Sequence, residues 1–547
     1  MFEGKKKWVI TIAVLLIGTI ILSGCGLNTA LKKQEKMTRL TPVDGGVFRF
    51  GMISSPSALE PAFLEEINGI EICKELNDGL IRYDPNTLEI KPAIAESWDY
   101  SEDKKVITFH IRKDVKFHDG TILKAQDIID VWNRLAAKDT LSPLAFLLEP
   151  IVGFAQVNSG ELETISGLKT TDDYTLEVTL KEKNAVFLTS LGHPAVSIYK
   201  LEAAKKAGKD FGTPAARPET LIGTGAFKFV KWNADQDIIL EKFPDYYGTK
   251  AHVDKIIYKI FKDESTAFNE FRAGNLDYVD MVPPGQRQSI LKEIPDQILE
   301  TTTLTTQYIG FNLTKDPFKD NINIRKAIAC ALDIQSIADT VLEGSSTVSN
   351  GPLPDTMPGY NIDLKAPTFD KKKAKEYLAL AGYPDGQGLG PIQYAYNYTQ
   401  ENQRVAEAFQ AQLKEVGIQI HLKNMEWGSY INAMQSGELQ MFRVACVADY
   451  PDPDNLLRML YSKSQWGMNN VTFYSNPEVE GLLTQGLEET DITKRMEIYK
   501  KIQELIVEDQ PAIWTFSTNY LRIYGDKVHN LKINALDQKD MRSVWLS

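Results

Sequence analysis

In the second half of the chain, a stripe of apolar residues at helical spacing leads directly into a segment that alternates as a strand does. Apolar residues recur at helical spacing from Val405 to Val416, and Gly417 follows at the position of a helix stop. From Ile418 to Leu422, apolar and polar residues alternate, as they do in a half-buried strand. A helix that passes at once into a strand predicts an α/β unit.

The first half of the chain carries the same mixture of patterns. Alternation from Val106 to Val115 predicts a strand, and Asp119-Gly120 behind it predicts a turn. Apolar residues from Ala125 to Leu135 recur at helical spacing. Strands and helices are therefore mixed throughout, and the predicted fold class is α/β. A chain of 547 residues is also too long for one small domain, so that about two to four domains are expected.

The N-terminus has the composition of a secretory signal. A basic segment, Lys5 to Lys7, precedes an apolar run from Trp8 to Leu22. This run is shorter than the roughly 20 residues that a membrane-spanning helix needs. It ends in Leu-Ser-Gly before Cys25, which resembles the bacterial lipobox. The resemblance implies a signal peptide over residues 1–24 and a lipidated Cys25; the alternative is an uncleaved anchor with an incidental cysteine.

The segment behind the cysteine is polar and basic. Residues 25–45 are expected to form a tether between the lipid and the folded part of the chain. Both interpretations of the N-terminus place that folded part on the extracytoplasmic side of the cell membrane. We therefore expect a lipid-anchored protein that faces outward.

Charge and cysteine usage exclude several classes of partner and site. The net charge of -12 argues against a nucleic acid as partner. With Cys25 lipidated, an odd number of cysteines remains, namely Cys73, Cys330 and Cys446. No CxxC pair occurs, which argues against a disulfide scaffold or a zinc site. Buried, unreactive thiols are the favoured interpretation.

Motifs typical of enzymes are missing from the sequence. It contains no HExxH, no GxxxxGK[ST] and no GxSxG. None of the six histidines pairs with another at metal-ligand spacing. The glycines from Gly386 to Gly390 form a loop-like run beside prolines, which differs from a dinucleotide-binding fingerprint. The sequence thus predicts a protein that is not an enzyme and that has no metal site and no cofactor.

Four blocks of residues follow one another in a recognisable order along the chain. They are Pro92 to Trp98 with Phe109 to Asp127, then Gly223 to Lys228, then Asn312 to Asp333, and finally Ala448 to Pro453. These blocks resemble the landmarks of one protein family, the family 5 solute-binding proteins of ABC importers, and the resemblance covers the chain from about Pro42 to its end. Members of this family bind dipeptides, oligopeptides and, in some branches, nickel.

The resemblance implies a periplasmic-binding-protein-like fold with two lobes, a hinge and an extra inserted domain. It also implies a monomer that closes by hinge bending around its ligand. The expected boundaries are lobe I at residues 46–75, 218–303 and 513–547, the inserted domain II at 76–217, and lobe II at 304–512.

The same resemblance implies capture of short peptides for delivery to the permease of an ABC importer. In peptide-binding relatives, the first Asp of the motif that matches Ala448 to Pro453 holds the peptide ammonium, which here is Asp449. Arg443 is a candidate for the peptide carboxylate, because even spacing on a strand puts it on the face of Asp449 and its guanidinium suits a carboxylate. The alternatives are that Asp449 and Asp452 cap a local turn and that Arg443 forms a surface ion pair.

Four further residues are candidates for ligand contact through the resemblance. Trp427 matches a ligand-pocket tryptophan of a relative, with core packing as the alternative. Glu65 and Ile67 lie in a segment that runs beside the peptide main chain in relatives. Cys446 stands where peptide-binding relatives often have Trp, which leaves the size of the pocket open.

Other functions remain open at this stage. Within the binding class, the ligand is alternatively a nickel chelate, haem or a signalling peptide. An extracytoplasmic hydrolase on the same scaffold is the alternative from another class. A nucleophile within hydrogen-bond reach of a base in the cleft would favour the hydrolase.

Overall fold

The computed structural model describes residues 41–283 and 285–547. The predicted signal peptide at residues 1–24 and the predicted lipidation of Cys25 lie outside the described residues. Within those two ranges, no helix combines the length and the hydropathy needed to cross a bilayer.

The first half of the described chain alternates between strands and mostly short helices. The strands are β1 (Val47–Met52), β2 (Ile81–Tyr83), β3 (Ile90–Pro92), β4 (Ala95–Tyr100), β5 (Val106–Ile111), β6 (Leu168–Asp172), β7 (Thr175–Thr179), β8 (Phe227–Asn233), β9 (Asp237–Lys242), β10 (Lys255–Ile260) and β11 (Tyr278–Val279). The α-helices are α1 (Ile67–Leu76), α2 (Ala125–Ala136), α3 (Phe154–Ser159), α4 (Phe187–Ser190), α5 (Leu201–Ala207) and α6 (Glu264–Arg272).

The second half has longer helices and the longest strand. The strands are β12 (Ile298–Thr302), β13 (Thr305–Phe311), β14 (Ser346–Val348), β15 (Ile392–Asn397), β16 (Ile420–Met425), β17 (Met441–Val447), β18 (Ala512–Tyr524), β19 (Val528–His529) and β20 (Trp545–Leu546). The α-helices are α7 (Arg287–Glu293), α8 (Ile322–Ala331), α9 (Ile334–Thr340), α10 (Lys371–Leu380), α11 (Gln400–Glu415), α12 (Trp427–Gln435), α13 (Pro453–Tyr461), α14 (Pro477–Glu488) and α15 (Ile492–Asp509). Short 3-10 helices span Pro61–Phe63, Lys138–Thr140, Ala145–Leu148, Pro194–Val196, Gly208–Asp210, Pro295–Gln297, Pro384–Gly386 and Lys463–Gln465.

Local sequence signals account for several of these elements. The predicted strand from Val106 is β5, which ends at Ile111, and its apolar side chains are buried. The predicted helix from Ala125 is α2, and its apolar stripe faces the core. The stripe that begins near Val405 lies on α11, and Gly417 follows with a φ of +94°. The predicted α/β class is confirmed.

The long strand β18 organises the main sheet. In the described residues, twelve strands form one sheet in the order β16-β15-β17-β13-β18-β11-β1-β10-β9-β8, with β12 and β14 also paired to β18. The first half of β18 pairs with β13 and β14, and its second half pairs with β12 and β11. We call β1 and β8–β12 the lobe I sheet, and β13–β17 the lobe II sheet. One continuous strand therefore belongs to both.

A second connection between the two sheets runs beside the first. The chain leaves β12 and enters β13 through Thr303 and Leu304. The backbone N–H of Thr303 donates to the carbonyl oxygen of Thr518 on β18 at 3.0 Å. The hydroxyl of Thr302 donates to the side-chain oxygen of Asn519 at 2.9 Å. The two sheets are thus joined by neighbouring extended segments, an arrangement that suits hinge bending.

Residues 95–179 contribute a separate antiparallel sheet in the order β4-β5-β7-β6. One face of this sheet packs against α2, and Ile107 and Phe109 are fully buried there. The sheet interrupts the lobe I elements between α1 and β8, as an inserted domain does. The boundaries predicted for the inserted domain and the lobes stay predictions.

The motifs around His118 and Gly225, which are far apart in the sequence, pack together. One ring nitrogen of His118 accepts from the backbone N–H of Gly223, and the other lies 3.1 Å from the carbonyl oxygen of Gly225. Burial lowers the pKa of His118 to about 4, so that the ring is neutral. A Cβ on Gly225 would meet the carbonyl oxygen of Glu75 at 2.3 Å, and only glycine permits this approach.

The interior of lobe I contains four buried charged side chains that form ion pairs with one another. Arg522 and Lys539 lie between the carboxylates of Asp280 and Asp537, and all four side chains are buried. Burial alone would raise the pKa of Asp280, but Arg522 and Lys539 together lower it to about 2. Each charge therefore has a partner of opposite sign, which is the condition for keeping charges inside a protein.

Candidate functional site

Strand β17 has one paired edge and one open edge. It pairs with β13 along its whole length, from Met441 to Val447. On the other side it pairs with β15 only at Met441 and Phe442. Over residues 443–447, β17 has no strand partner on that second side within the described part of the chain.

The direction of the backbone groups follows from the register. The N–H of Ala448 donates to the carbonyl oxygen of Leu304 at 3.0 Å, so that even-numbered residues bond to β13. The N–H and C=O groups of Ala445 and Val447 therefore point toward the open edge. Both residues are exposed, and the side chain of Val447 is 46% accessible. This edge has the geometry that accepts an added extended chain.

The open edge exists because β15 diverges from β17. After Ala395, strand β15 stays with β16 instead, and its last residues pair with the end of β16. Tyr430, which is buried, lies beneath the resulting fork. Its hydroxyl donates to the carbonyl of Arg443 and lies 3.3 Å from the carbonyl oxygen of Ala395. The fork is thus held open by a buried hydrogen bond as well as by the strand directions.

Arg443 lies at the base of the fork. Its guanidinium donates to Gln307 at 2.7 Å and to Asn397 at 3.5 Å, and both acceptors are neutral amide oxygens. Among the ion pairs within residues 41–283 and 285–547, none involves Arg443. A surface ion pair is therefore not its role in this structure, and a contact with a peptide carboxylate stays a prediction.

Asp449 and Asp452, in the same motif, have different environments. Asp452 caps α13 and forms a bidentate ion pair with Arg495, in which both side chains are buried. Asp449 is half-buried and exchanges hydrogen bonds with Asn455, whose amide donates to its carboxylate at 3.2 Å. No ion pair in the described ranges involves Asp449. Of the two carboxylates that were alternatively expected to cap a turn, only that of Asp452 caps a helix. The carboxylate of Asp449 has no cationic partner within the described residues.

The expectation that Arg443 and Asp449 share one face of a strand is not supported. The strand ends at Val447, so that alternation does not extend to Asp449. Arg443 bonds to Gln307 on one face of the sheet. Cys446 points to the opposite face, and Asp449 contributes with burial to raising the pKa of its thiol to about 12. The structure therefore places Asp449 beside Cys446, at the end of the edge opposite to Arg443.

Two residues of the inserted domain lie near enough to Asp449 to interact with its charge, and the sequence reasoning missed them. His193 and Tyr83 are both buried. Burial lowers the pKa of His193, and the charge of Asp449 opposes this effect. Burial raises the pKa of Tyr83, with further contributions from Tyr450, Asp452 and Asp449. Neither residue lies in a block that resembles the family, and only the packing of the domains brings them to the site.

A backbone contact joins the same two parts of the molecule. The N–H of Ala185 donates to the carbonyl oxygen of Leu487, at the end of α14, at 2.8 Å. Ala185 lies just before α4, and the 3-10 helix capped by His193 follows α4 closely. Lobe II therefore contacts the inserted domain directly at α14, close to the segment that carries His193.

The remaining predicted contact residues lie on both sides. Trp427 is the first residue of α12 and is 58% accessible, so that it is not a core residue. Glu65 is exposed, and Ile67 is the half-buried first residue of α1 on lobe I. The helix begins there because Glu66 accepts from the backbone N–H groups of Asn68 and Gly69. Contact of Trp427, Glu65 and Ile67 with a ligand stays a prediction.

The three cysteines of the described chain have free thiols. Cys73 and Cys330 are buried, as the favoured interpretation expects, whereas Cys446 is only half-buried. Within the two described ranges, no group of three or more His, Cys, Asp or Glu side chains is arranged to hold a metal ion.

Comparisons with known proteins agree with this architecture. The family model described as "Bacterial extracellular solute-binding proteins, family 5 Middle" matches residues 89–468. The chain belongs to this family of extracellular solute-binding proteins. The predicted family and the periplasmic-binding-protein-like fold are thereby confirmed.

Individual relatives differ in the ligands that their names give. Heme-binding protein A of Haemophilus influenzae is 30% identical, with 93% of each chain covered. The periplasmic oligopeptide-binding protein OppA of Escherichia coli is 30% identical, over 84% of this chain and 85% of its own. The solved structure of the binding protein DppA from Helicobacter pylori in complex with the peptide STSA is 28% identical. It has a TM-score of 0.74 and covers 94% of this chain and 99% of its own.

Proposed function

We propose that this protein captures short peptides in the cleft between the two lobes and delivers them to the permease of an ABC importer. The peptide adds to the open edge of β17 as an extended strand, and its ammonium lies against Asp449. Main-chain bonds supply affinity that is independent of sequence, because every peptide carries the same amides. The proposal has no catalytic step and no cofactor.

The observation that carries the proposal is the pairing of an open strand edge with an uncompensated carboxylate. The free backbone groups of Ala445 and Val447 end two residues before Asp449. A half-buried carboxylate with one amide partner suits an ammonium, since a charge-assisted hydrogen bond there is shorter and stronger than a neutral one. Relatives whose names include peptides have this family fold and support the assignment.

The protein is anchored at the cell surface through its N-terminal segment. A lipidated Cys25 with its acyl chains anchors the protein on the outer face of the cell membrane, and residues 25–45 form the tether. The protein acts as a monomer that closes around one guest. Mass spectrometry of the intact mature chain tests the anchor, because lipidation adds the mass of the acyl groups to a chain that begins at Cys25.

Binding calorimetry on the purified protein tests the peptide assignment. We expect tri-alanine to bind, and N-acetylated tri-alanine to bind at least about 100-fold more weakly, because the acetyl group removes the ammonium that pairs with Asp449. Asp449→Asn is expected to weaken tri-alanine by a similar factor. Glu438→Gln, which changes an exposed carboxylate of lobe II, is the matched control and should bind as the wild type does.

Two results would contradict the assignment. Equal affinity of the wild type and Asp449→Asn for tri-alanine would remove Asp449 from the site. Tight haemin binding, seen as a shifted Soret band, with no binding of any peptide would replace peptide by haem, the ligand in the name of the Haemophilus influenzae relative.

A further inference from the structure

The fork beside β17 exposes large apolar side chains at the ends of adjacent strands. Strands β15, β16 and β17 run parallel to one another, so that their carboxyl ends lie at the same edge of the sheet. Tyr398 follows β15 and is 60% accessible, and Trp427 follows β16. Val447 ends β17. In open α/β sheets, ligands bind outside the carboxyl ends of strands, at points where the strand order reverses, and β16 and β17 lie on opposite sides of β15.

Backbone contacts hold the two aromatic residues on the same side of the fork. The N–H of Tyr398 donates to the carbonyl oxygen of Met425 at 3.0 Å, two residues before Trp427. The ring of Trp427 lies 6.5 Å from the ring of Tyr430, which is buried beneath the fork. Tyr398 and Trp427 therefore lie at neighbouring strand ends, on the β15 side of the space that an added strand would occupy. We call them the aromatic wall.

We propose that the aromatic wall selects peptides with an aromatic or bulky apolar side chain at the third position. This inference rests on the proposed function, because the position is counted from the ammonium at Asp449. A guest that runs antiparallel to β17 from Asp449 has its first residue near Val447 and its third near Ala445, beside the fork. Contact between the exposed aromatic rings and an apolar side chain removes both surfaces from water, which makes binding of such a peptide more favourable.

Tyr398, as a specificity-determining residue, can be substituted without disturbing the start of the neighbouring helix α11. Its side chain is exposed, and the cap of α11 is made by its neighbour Thr399, whose hydroxyl accepts from the N–H of Asn402. Tyr398→Ser therefore removes the ring and leaves the helix cap in place. Leu380→Ser, which changes an exposed apolar residue of lobe II at the end of α10, is the matched control.

Tetrapeptide isomers test the proposal with calorimetry on the purified full chain. We expect Ala-Ala-Phe-Ala to bind about tenfold more tightly than tetra-alanine, and Phe-Ala-Ala-Ala to show a smaller gain. The double variant Tyr398→Ser, Trp427→Ser should reduce the preference for Ala-Ala-Phe-Ala to less than about threefold. Leu380→Ser should retain the preference of the wild type.

The outcomes separate this inference from the proposed function. Suppose that tetra-alanine binds and that Asp449→Asn weakens its affinity, but that the double variant keeps the full preference for Ala-Ala-Phe-Ala. The proposed role of the aromatic wall is then wrong, and the proposed peptide site is retained. Equal affinity of the wild type for the two phenylalanine isomers has the same meaning. If no tetrapeptide binds to the wild type, the proposed function and this inference fall together.

Discussion

The interior of lobe I and the open edge of lobe II differ in whether their polar groups have partners within the fold. In lobe I, the buried charges of Asp280, Arg522, Asp537 and Lys539 are matched one against another. At the cleft edge, backbone groups of β17 lack a strand partner, and Asp449 lacks a cation. This contrast supports the proposed site: the four charges of lobe I are paired within the fold, whereas the open backbone groups of β17 and the carboxylate of Asp449 are those with which the proposed guest would pair.

The largest expected effect concerns the lobe I network. Arg522→Met leaves the carboxylates of Asp280 and Asp537 with less buried positive charge, and we expect the free energy of unfolding to fall by ~3–5 kcal/mol. Urea denaturation measures it. Arg272→Met, which breaks the exposed pair with Glu293, is the control and should change stability by less than about 1 kcal/mol. A similar small effect for both variants would mean that the lobe I network is not what stabilises this region.

The pH dependence of the same region gives the next largest effect. Glu71 is buried, and burial raises its pKa from 4.5 to about 7 in the folded protein. Between these values the folded state holds a proton that the unfolded state has lost, so that stability falls as the pH rises through this window. The upper bound of the loss is ~3 kcal/mol. Denaturation of Glu71→Gln at pH 5 and pH 7.5 should show a smaller decline than the wild type.

Two outcomes decide the prediction for Glu71. The Oε1 atom of Glu71 accepts no hydrogen bond and lies 3.5 Å from the ammonium of Lys74, whereas its Oε2 atom accepts from the backbone N–H of Lys539 at 3.2 Å, so that glutamine can keep this hydrogen bond through its amide oxygen. Glu438→Gln should decline with pH as the wild type does. Parallel pH profiles of Glu71→Gln and the wild type would show that Glu71 is ionised throughout, with Lys74 as its partner.

A smaller effect on the free energy of unfolding is expected at Tyr430, beneath the fork between β15 and β17. Tyr430→Phe removes the hydroxyl that donates to Arg443 beneath the fork, and we expect a loss of about 1 kcal/mol in the free energy of unfolding. Peptide affinity should also fall, because the strands that border the open edge lose a fixed contact. Chemical denaturation and calorimetry measure the two effects. Unchanged values of both would indicate that the strand directions alone maintain the fork.

The smallest effect on stability is expected at Asp449, just beyond the end of β17. Asp449→Asn should leave the free energy of unfolding of the ligand-free protein within about 0.5 kcal/mol of the wild type, because no ion pair is lost. Asp452→Asn, three residues away, breaks the buried pair with Arg495 and should cost ~3 kcal/mol or more. Thermal unfolding of the two variants side by side checks the contrast. A large loss for Asp449→Asn would give Asp449 a structural role and weaken the peptide assignment.

Local sequence patterns were enough to predict the α/β class, the family and the motif that contains Asp449. These features are local: the periodicity near Val405 reports one face of one helix, and Gly417 reports one turn. Recognition of the motif also singled out Arg443, but alternation along β17 could not show that the strand ends at Val447 before it reaches Asp449.

Which edge of β17 stays open, and which residues lie near that edge, depends on how distant segments of the chain pack together. Whether Ala445 has a neighbour depends on where β15 leaves β17, which involves chain segments separated by about fifty residues. His193 and Tyr83 come close enough to interact with the charge of Asp449 only through the packing of the inserted domain against lobe II. Hydrophobic periodicity specifies which face of an element is buried, but it does not specify which elements meet, and a cleft is made by such meetings.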